Sequence, residues 1–218
     1  MPFFIMSLRY NQKPKYWNKA LNHINQCDNK LSVVIKKTKK SDYLTRSCTS
    51  FQTLANAIIG QQISISAAAS ITHRLKLIAG KINPINIDKS SSQNLRKSGL
   101  SAKKVIYLKE LSDVYINNPS YIYDFRYLDD NTIIERLSKL YGIGEWTAHM
   151  YLIFQLNRPN VLPIGDLGII NSAKKIYNLK EQSHAKEFLL QKAKAWDPYK
   201  TVGSWFLWRA IDIDIVQY

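Results

Sequence analysis

Residues 140–148 read Leu140-Tyr141-Gly142-Ile143-Gly144-Glu145-Trp146-Thr147-Ala148. An apolar segment with helical spacing ends here and another begins at once, which predicts two helices joined by a tight turn at the two glycines. Gly142 and Gly144 can adopt a positive φ and allow a partner to approach the backbone closely. Successive N–H groups beside a helix N-terminus suit a phosphate group. Any tight connection between two packed helices could use the same glycines, so the turn alone leaves both interpretations open.

The rest of the chain also predicts helices. Apolar residues recur at helical spacing in several segments, namely 15–27, 51–79, 101–117, 131–140, 146–156, 166–176, 183–195 and 201–213. Gly60 interrupts the second segment, which predicts two helices with a turn at Gly60-Gln61-Gln62. The β-branched run at 31–35 is too isolated to form a sheet. Because no repeat or long linker divides the chain, the sequence predicts one all-α unit spanning residues 1–218.

The charge of the chain favours a nucleic-acid partner without proving one. Its 218 residues carry 31 Lys+Arg against 16 Asp+Glu, a net charge of +15, and 45% of them are hydrophobic. That apolar content can build a core and excludes wholesale disorder. Clustered cations release counterions when they bind a phosphate backbone. A lysine bias shared by a whole proteome would give the same charge, so the charge alone supports both interpretations equally.

Several classes of protein are excluded or disfavoured by what the sequence lacks. No apolar run approaches the roughly 20 residues that a membrane helix needs. Residues 1–6 lack the basic flank and cleavage site of a signal peptide. Cys27 and Cys48 fit neither a disulfide scaffold nor a four-cysteine metal site. We therefore expect a cytoplasmic protein with no membrane partner, associated with the nucleoid, or nuclear in a eukaryote.

A second informative segment, Leu162-Pro163-Ile164-Gly165-Asp166-Leu167-Gly168, places an aspartate at the predicted start of a helix. Asp166 at this position is a good N-cap, since its carboxylate can accept a hydrogen bond from a free backbone N–H. A catalytic role is compatible with the cap, because the helix dipole stabilises a negative charge there.

Taken together, these segments resemble the helix-hairpin-helix (HhH-GPD) DNA glycosylase superfamily, and within it the short all-helical form of the 3-methyladenine DNA glycosylase II branch. The resemblance covers roughly residues 15–212, and its motifs lie at 57–68, 98–104, 140–148, 163–168 and 196–210. It implies an all-α fold in which two helical lobes and the hairpin at 140–148 flank a DNA-binding active-site cleft. The central lobe would span about 50–155, and the second lobe 1–49 plus about 156–218.

The resemblance also implies a function. It indicates a monofunctional hydrolase that flips alkylated purines out of double-stranded DNA and cleaves their N-glycosidic bond. Its substrates would be 3-methyladenine and 7-methylguanine, and the abasic product would enter base excision repair. Asp166 would be the catalytic residue, stabilising the positive sugar and directing water. The base pocket would be lined by Trp146, Met150 and Trp208, whose aromatic members favour a cationic base.

DNA-contacting residues follow from the same resemblance. They are Gln61, Gln62, Gly142, Gly144 and Thr147, with Gln62 at the position that fills the gap left by the flipped base. The implied protein is a monomer without a redox cofactor or a side-chain-ligated metal. A Na⁺ or K⁺ ion could bind hairpin backbone carbonyls near Gly142 and Gly144 when DNA is present.

Other interpretations of these residues stay open. Core packing would explain the tryptophans, and helix-end solvation would explain the two glutamines. The lysines at 103, 104, 174 and 175 fit either phosphate contacts or solvated helix faces. The same fold could also act on other damaged bases, or bind damaged DNA without catalysis.

One substitution separates the branches of the superfamily. In its bifunctional members a lysine stands where this chain has Trp146, and its amine forms a Schiff base with the sugar before strand cleavage. We predict that Trp146→Lys does not by itself create a lyase, because the surrounding pocket is not built to activate an amine. Borohydride trapping of the variant on damaged duplex DNA should yield no covalent adduct. A trapped adduct would contradict this prediction.

Overall fold

The computed structural model describes residues 12–210, and all of its regular structure within that range is helical, as the sequence predicts. The α-helices are α1 (Trp17–Cys27), α2 (Asn29–Lys37), α3 (Ser50–Gly60), α4 (Ile65–Ala79), α5 (Pro84–Lys89), α6 (Ser92–Lys97), α7 (Ala102–Asn117), α8 (Ser120–Tyr123), α9 (Asp130–Ser138), α10 (Glu145–Met150), α11 (Leu167–Tyr177), α12 (Gln182–Lys192) and α13 (Lys200–Arg209). A π-helical turn, Tyr151–Gln155, continues α10, and 3-10 turns span Asp124–Tyr127 and Ala193–Trp196.

The predicted break in the segment 51–79 is confirmed. Helix α3 ends at Gly60, and α4 begins at Ile65. The β-branched run at 31–35 lies inside α2, and the short helices α5 and α6 occupy a region for which the sequence pattern named no element. Residues 211–213 of the last predicted helix lie outside the described residues, as do 1–11 and 214–218 of the predicted second lobe.

Polar side chains at the N-caps of several helices determine where those helices begin. Thr49 forms a capping box with Gln52 at the start of α3: the Gln52 N–H donates to Thr49 Oγ1 at 3.2 Å, and the Thr49 N–H donates to Gln52 Oε1 at 3.0 Å. Ser64 and Ser101 accept the N–H three residues further on at the starts of α4 and α7. These contacts pair N–H groups that a helix leaves free, so the helix starts are encoded locally.

The helices pack in two sets. Helix α3 contacts α4, α7 and α10, while α5 and α6 pack on α7 and α9 packs on α10. Helix α13 contacts α1, α2 and α11, and α12 packs on α11. The hairpin that joins α9 to α10 belongs to the first set, whereas the helix that follows Asp166 belongs to the second. The lobe boundaries at 49/50 and 155/156 stay predictions.

The three tryptophans near the end of the chain, Trp196, Trp205 and Trp208, are all buried in the core, as the core-packing interpretation predicts. Trp196 is fully buried, and Trp205 packs edge-on against Trp17 with ring centroids 5.2 Å apart. Gly203 lies against Trp196, where a Cβ would come within 2.4 Å of the indole. Close packing of this kind leaves no room for a larger residue. Within residues 12–210, no helix has the length and apolar character that crossing a membrane requires.

A buried carboxylate joins the second set of helices. Asp28, only 1% exposed, caps α2 through an Oδ1 contact with the Leu31 N–H at 3.0 Å. Its Oδ2 accepts hydrogen bonds from the Tyr177 hydroxyl at 2.6 Å and the Trp196 indole N–H at 2.9 Å. The Lys192 ammonium lies 3.5 Å from the same oxygen. Burial, followed by these contacts with Asp28, raises the pKa of Tyr177, so the hydroxyl stays a donor.

We predict that Asp28→Ala lowers the free energy of unfolding by about 2–4 kcal/mol, because it removes the cap of α2 and leaves the buried Trp196 indole N–H and the half-buried Tyr177 hydroxyl without their acceptor. Asp129→Ala is the matched control. Asp129 caps α9 with the same geometry, accepting from the Thr132 N–H at 3.0 Å, but it is solvent-exposed. Urea unfolding measures both variants. Equal losses would show that the Asp28 cluster adds nothing beyond the cap.

Candidate active site

Asp166 stands at the N-cap of α11, where the sequence placed it. Its Oδ1 accepts the Ile169 N–H at 2.9 Å, and the side chain is only half-buried. The capping interpretation is therefore correct. The cap uses only part of the hydrogen-bonding capacity of Asp166, because the carboxylate has further lone pairs. It also faces two aromatic side chains from other helices.

Two indoles, one from α10 and one from α13, donate hydrogen bonds to the Asp166 carboxylate. Trp146, in the first turn of α10, donates its Nε1–H to Oδ2 at 2.7 Å. Trp208, near the end of α13, donates its Nε1–H to Oδ1 at 3.0 Å. With the Ile169 N–H, three donors on three helices fix the orientation of one carboxylate. Since charge-assisted hydrogen bonds are the stronger kind, this arrangement preorganises a negative charge at a fixed position.

Behind Trp208 lies an aromatic residue that the sequence analysis did not single out. Phe154 stacks on Trp208 with ring centroids 5.7 Å apart and an interplanar angle of 29°. It follows Met150 by four residues, a spacing that could have placed it on the same helix face. Phe154 is buried, so it supports the Trp208 ring from within the core.

The π-helical turn determines which side chains point towards the site. The Leu156 N–H donates to Tyr151 O at 3.1 Å, a contact that spans five residues instead of four. Wider turns of this kind are often found at functional sites. Phe154 thereby packs on Trp208, while Gln155 lies against Thr53 of α3. Met150, one turn after Trp146, is fully buried, and its place in a base pocket stays a prediction.

The hairpin has the tight turn that its glycines predict. Gly142 has a φ of +82°, and a Cβ built on it would lie 2.1 Å from the Tyr107 ring. Ile143 is buried and anchors the turn in the core. Gly144 is exposed at the N-cap of α10, and a Cβ added there would meet no atom within 4 Å. The first glycine is thus required by packing and backbone, whereas the second leaves open space before the helix.

Gln61 and Thr147 link the hairpin to the turn after α3. Gln61 Nε2 donates to Gly142 O at 2.9 Å and to Thr147 Oγ1 at 3.0 Å. Thr147 is buried, so its hydroxyl faces protein in this structure. Gly142 O keeps a second lone pair, which is compatible with the Na⁺ or K⁺ site expected there. The DNA-contacting roles of both side chains and the cation site stay predictions.

Gln62 lies at the exposed turn between α3 and α4. Its φ is +58°, a left-handed conformation that is uncommon for a residue other than glycine. Such a conformation persists only where neighbouring contacts impose it. The side chain is solvent-exposed beside the hairpin, a placement compatible with the gap-filling position implied by the sequence.

Lys104 contacts the end of α3. Its Nζ donates to Ile59 O at 2.7 Å and to Gln61 O at 2.8 Å, so it is not simply a solvated lysine, and its phosphate contact stays a prediction. Burial lowers its pKa from the ordinary value of a lysine. Lys103 and Lys175 are exposed, and Lys174 is half-buried.

Comparison with known proteins identifies the family. The sequence profile described as "HhH-GPD superfamily base excision DNA repair protein" matches residues 55–198, which include the hairpin and Asp166. The chain belongs to this superfamily.

Two relatives of the chain are named as DNA-3-methyladenine glycosylases. DNA-3-methyladenine glycosylase 1 of Schizosaccharomyces pombe is 32% identical over 164 residues, covering 73% of this chain and 71% of the relative. A putative DNA-3-methyladenine glycosylase of Bacillus subtilis is 28% identical over 205 residues, covering 90% of this chain and 71% of the relative.

Solved structures agree with the sequence relatives. The S. pombe 3-methyladenine DNA glycosylase in complex with abasic DNA superposes with a TM-score of 0.78 at 30% identity, covering 88% of this chain and 95% of the other. A DNA-3-methyladenine glycosidase from Bacillus halodurans superposes with a TM-score of 0.69 at 30% identity, covering 93% and 92%. The HhH-GPD fold thus extends over nearly the whole chain.

The two hairpin glycines should differ in their tolerance of a methyl group. We predict that Gly142→Ala costs on the order of 1–3 kcal/mol of unfolding free energy, from the strained φ and the clash with Tyr107. Gly144→Ala should melt close to the wild-type temperature, because its φ is ordinary and the space around it is open. Thermal melts followed by circular dichroism compare the two. Equal melting temperatures would contradict the assigned packing role of Gly142.

Proposed function

We propose that this chain is a monofunctional DNA glycosylase that hydrolyses the N-glycosidic bond of alkylated purines in double-stranded DNA, chiefly 3-methyladenine and also 7-methylguanine. The observation that carries the proposal is the Asp166 carboxylate, held by the Trp146 and Trp208 indoles at the helix that follows the hairpin. Relatives named DNA-3-methyladenine glycosylases support it, as does a similar structure solved with abasic DNA, which is what base removal leaves behind.

The chemistry needs one well-placed negative charge. An N-alkylated purine is already cationic, so it leaves without a general acid, and the departing base leaves positive charge on the sugar. Asp166 stabilises that charge and orients or deprotonates the attacking water. Ordinary glycosidases use two carboxylates because their leaving groups need protonation. The fixed hydrogen bonds from the two indoles keep Asp166 in one orientation, so little reorganisation accompanies bond cleavage.

Selectivity for a damaged base follows from the same aromatic residues. A cationic base gains about 0.5–2 kcal/mol from an electron-rich ring face, which a neutral base does not gain to the same extent. Trp146 is half-buried, so part of its ring is accessible, and Trp208 is supported from behind by Phe154. Trp146 also occupies the position where a Schiff-base lysine would stand, so the proposed mechanism is direct hydrolysis without a covalent intermediate or strand cleavage.

In this proposal the hairpin and the turn after α3 bind the DNA. The N–H groups around Gly142 and Gly144 bind a phosphate near the lesion, with a Na⁺ or K⁺ ion on the hairpin carbonyls. Gln62 enters the stack where the damaged nucleotide has left it, which offsets part of the few kcal/mol that flipping costs. The chain acts as a monomer, and the proposal requires no redox cofactor.

We predict that Asp166→Asn keeps the fold and binds DNA but releases base at least about 100-fold more slowly, because asparagine retains the cap and loses the charge. Its amide NH₂ must also face one of the two indole N–H groups. Free bases released from methylated duplex DNA are separated and quantified, with 3-methyladenine and 7-methylguanine measured individually.

Asp129→Asn is the matched control, since it makes the same change at an exposed N-cap and should leave release unchanged. Uracil- and 8-oxoguanine-containing duplexes test the substrate class. If base were released from these duplexes and not from methylated DNA, the proposed specificity for alkylated purines would be wrong. Tight binding of damaged DNA without release by wild type would favour a damage-binding protein. An Asp166→Asn variant as active as wild type would remove Asp166 from the mechanism.

A further inference from the structure

Lys104 occupies an unusual place for a lysine. It lies in the first turn of α7, whose N-cap is Ser101, where the positive end of the helix dipole disfavours a cation. Its side chain is half-buried, and desolvation lowers its pKa. Neither local helix preference nor solvation accounts for a lysine at this position. The explanation must therefore lie in what its ammonium contacts.

Those contacts are two carbonyls at the C-terminal end of α3, one in its last turn and one at its C-cap. The Lys104 Nζ donates to Ile59 O at 2.7 Å and to Gln61 O at 2.8 Å. Carbonyls in the last turn of a helix have no partner within the helix and carry the negative end of its dipole. An ammonium with tetrahedrally arranged donors can serve two of them at once. Lys104 thus acts as a C-terminal cap supplied by another helix.

Gln61 extends this contact to the hairpin. Its carbonyl binds Lys104, while its side-chain amide donates to Gly142 O and Thr147 Oγ1. The residue is therefore held at both its backbone and its side chain. Gln62 follows immediately, with its strained φ of +58° and an exposed side chain. The hydrogen bond from Lys104 to Gln61 O fixes the backbone just before Gln62. A residue with a left-handed conformation depends on such contacts with its surroundings.

We propose that Lys104 is a positioning residue that holds the turn after α3 in the geometry from which Gln62 enters the DNA stack. This inference rests on the proposed function for its reaction, but its central claim concerns the placement of one side chain. In this role Lys104 contacts neither the base nor the sugar. It acts through the carbonyl of Gln61 on the backbone of Gln62, while the hairpin binds phosphate independently.

The test uses Lys104→Met, which keeps an unbranched side chain one atom shorter and removes its charge and donors. Lys103→Met is the matched control, because it makes the same change at the preceding, exposed residue of α7. Each protein is titrated onto a duplex with a tetrahydrofuran abasic analogue opposite 2-aminopurine. The fluorescence of 2-aminopurine rises when a side chain enters the stack beside it. Base release from methylated duplex is measured in single turnovers.

We expect wild type and Lys103→Met to give the full fluorescence rise at saturation. Lys104→Met should lose most of the rise while its dissociation constant for the duplex stays within about threefold of wild type, because the hairpin phosphate contacts remain. Its single-turnover release should fall about 10- to 100-fold, the usual cost of a misplaced group. Gln62→Ala should show the same fluorescence loss. The double variant Lys104→Met/Gln62→Ala should release base no more slowly than Gln62→Ala alone, because the effects of residues that act through one another are not additive.

Lys104→Arg provides a second variant, which keeps the charge but cannot place its planar head as an ammonium does. We expect Lys104→Arg to give a fluorescence rise between those of wild type and Lys104→Met. If Lys104→Met does not fold, Lys104→Arg is used in its place. A full rise with Lys104→Met, additive losses in the double variant, or an equal loss with Lys103→Met would overturn the proposal. The fluorescence needs no base release. If wild type released no base, the proposed function would fail while the role of Lys104 would still be decided.

Discussion

The site depends on one carboxylate that accepts hydrogen bonds from three helices. The Asp166 side chain caps its own helix, α11, and binds indoles from α10 and α13. Helix α10 packs with α3 and α9, whereas α11 and α13 pack with each other and with α2. The carboxylate therefore joins two separately packed sets of helices at their border. Capping and catalysis do not compete here, because one oxygen pair supplies enough acceptor sites for both.

The surroundings of this carboxylate follow a common arrangement, in which each functional group is held in place by a second residue. Phe154 supports the Trp208 ring, Tyr107 fills the space under Gly142, and Gln61 ties the hairpin to the turn after α3. Preorganised polar groups are effective because they need not reorient during the reaction. Phe154 is buried, and Tyr107 and Gln61 are half-buried, so each is held by surrounding protein atoms.

Local features of the fold could be predicted from the sequence, since neighbours along the chain encode them. Helical spacing, the break at Gly60, the hairpin glycines and the Asp166 cap all belong to this class. Contacts between distant residues could not. Asp28 meets Tyr177 after 149 positions, and Lys104 reaches back 43 positions to Gln61. Helical spacing within one segment gives no sign of such pairs, so the contact of Lys104 with the end of α3 could not be predicted. The spacing of Phe154 from Met150 could have been noticed in the sequence, but its contact with Trp208 joins distant residues and could not be predicted.

That turn has a consequence for how this chain can vary. In a regular helix each residue is rotated by about 100° from the last, so one inserted or removed residue redirects every side chain beyond it. The widened turn at Tyr151–Gln155 absorbs one residue between Trp146 and the rest of the helix. Removing one residue from that turn would restore regular α-helical spacing, so the side chains beyond it would keep their directions. The length of this segment is therefore more tolerant of a one-residue change than the length of a regular helix.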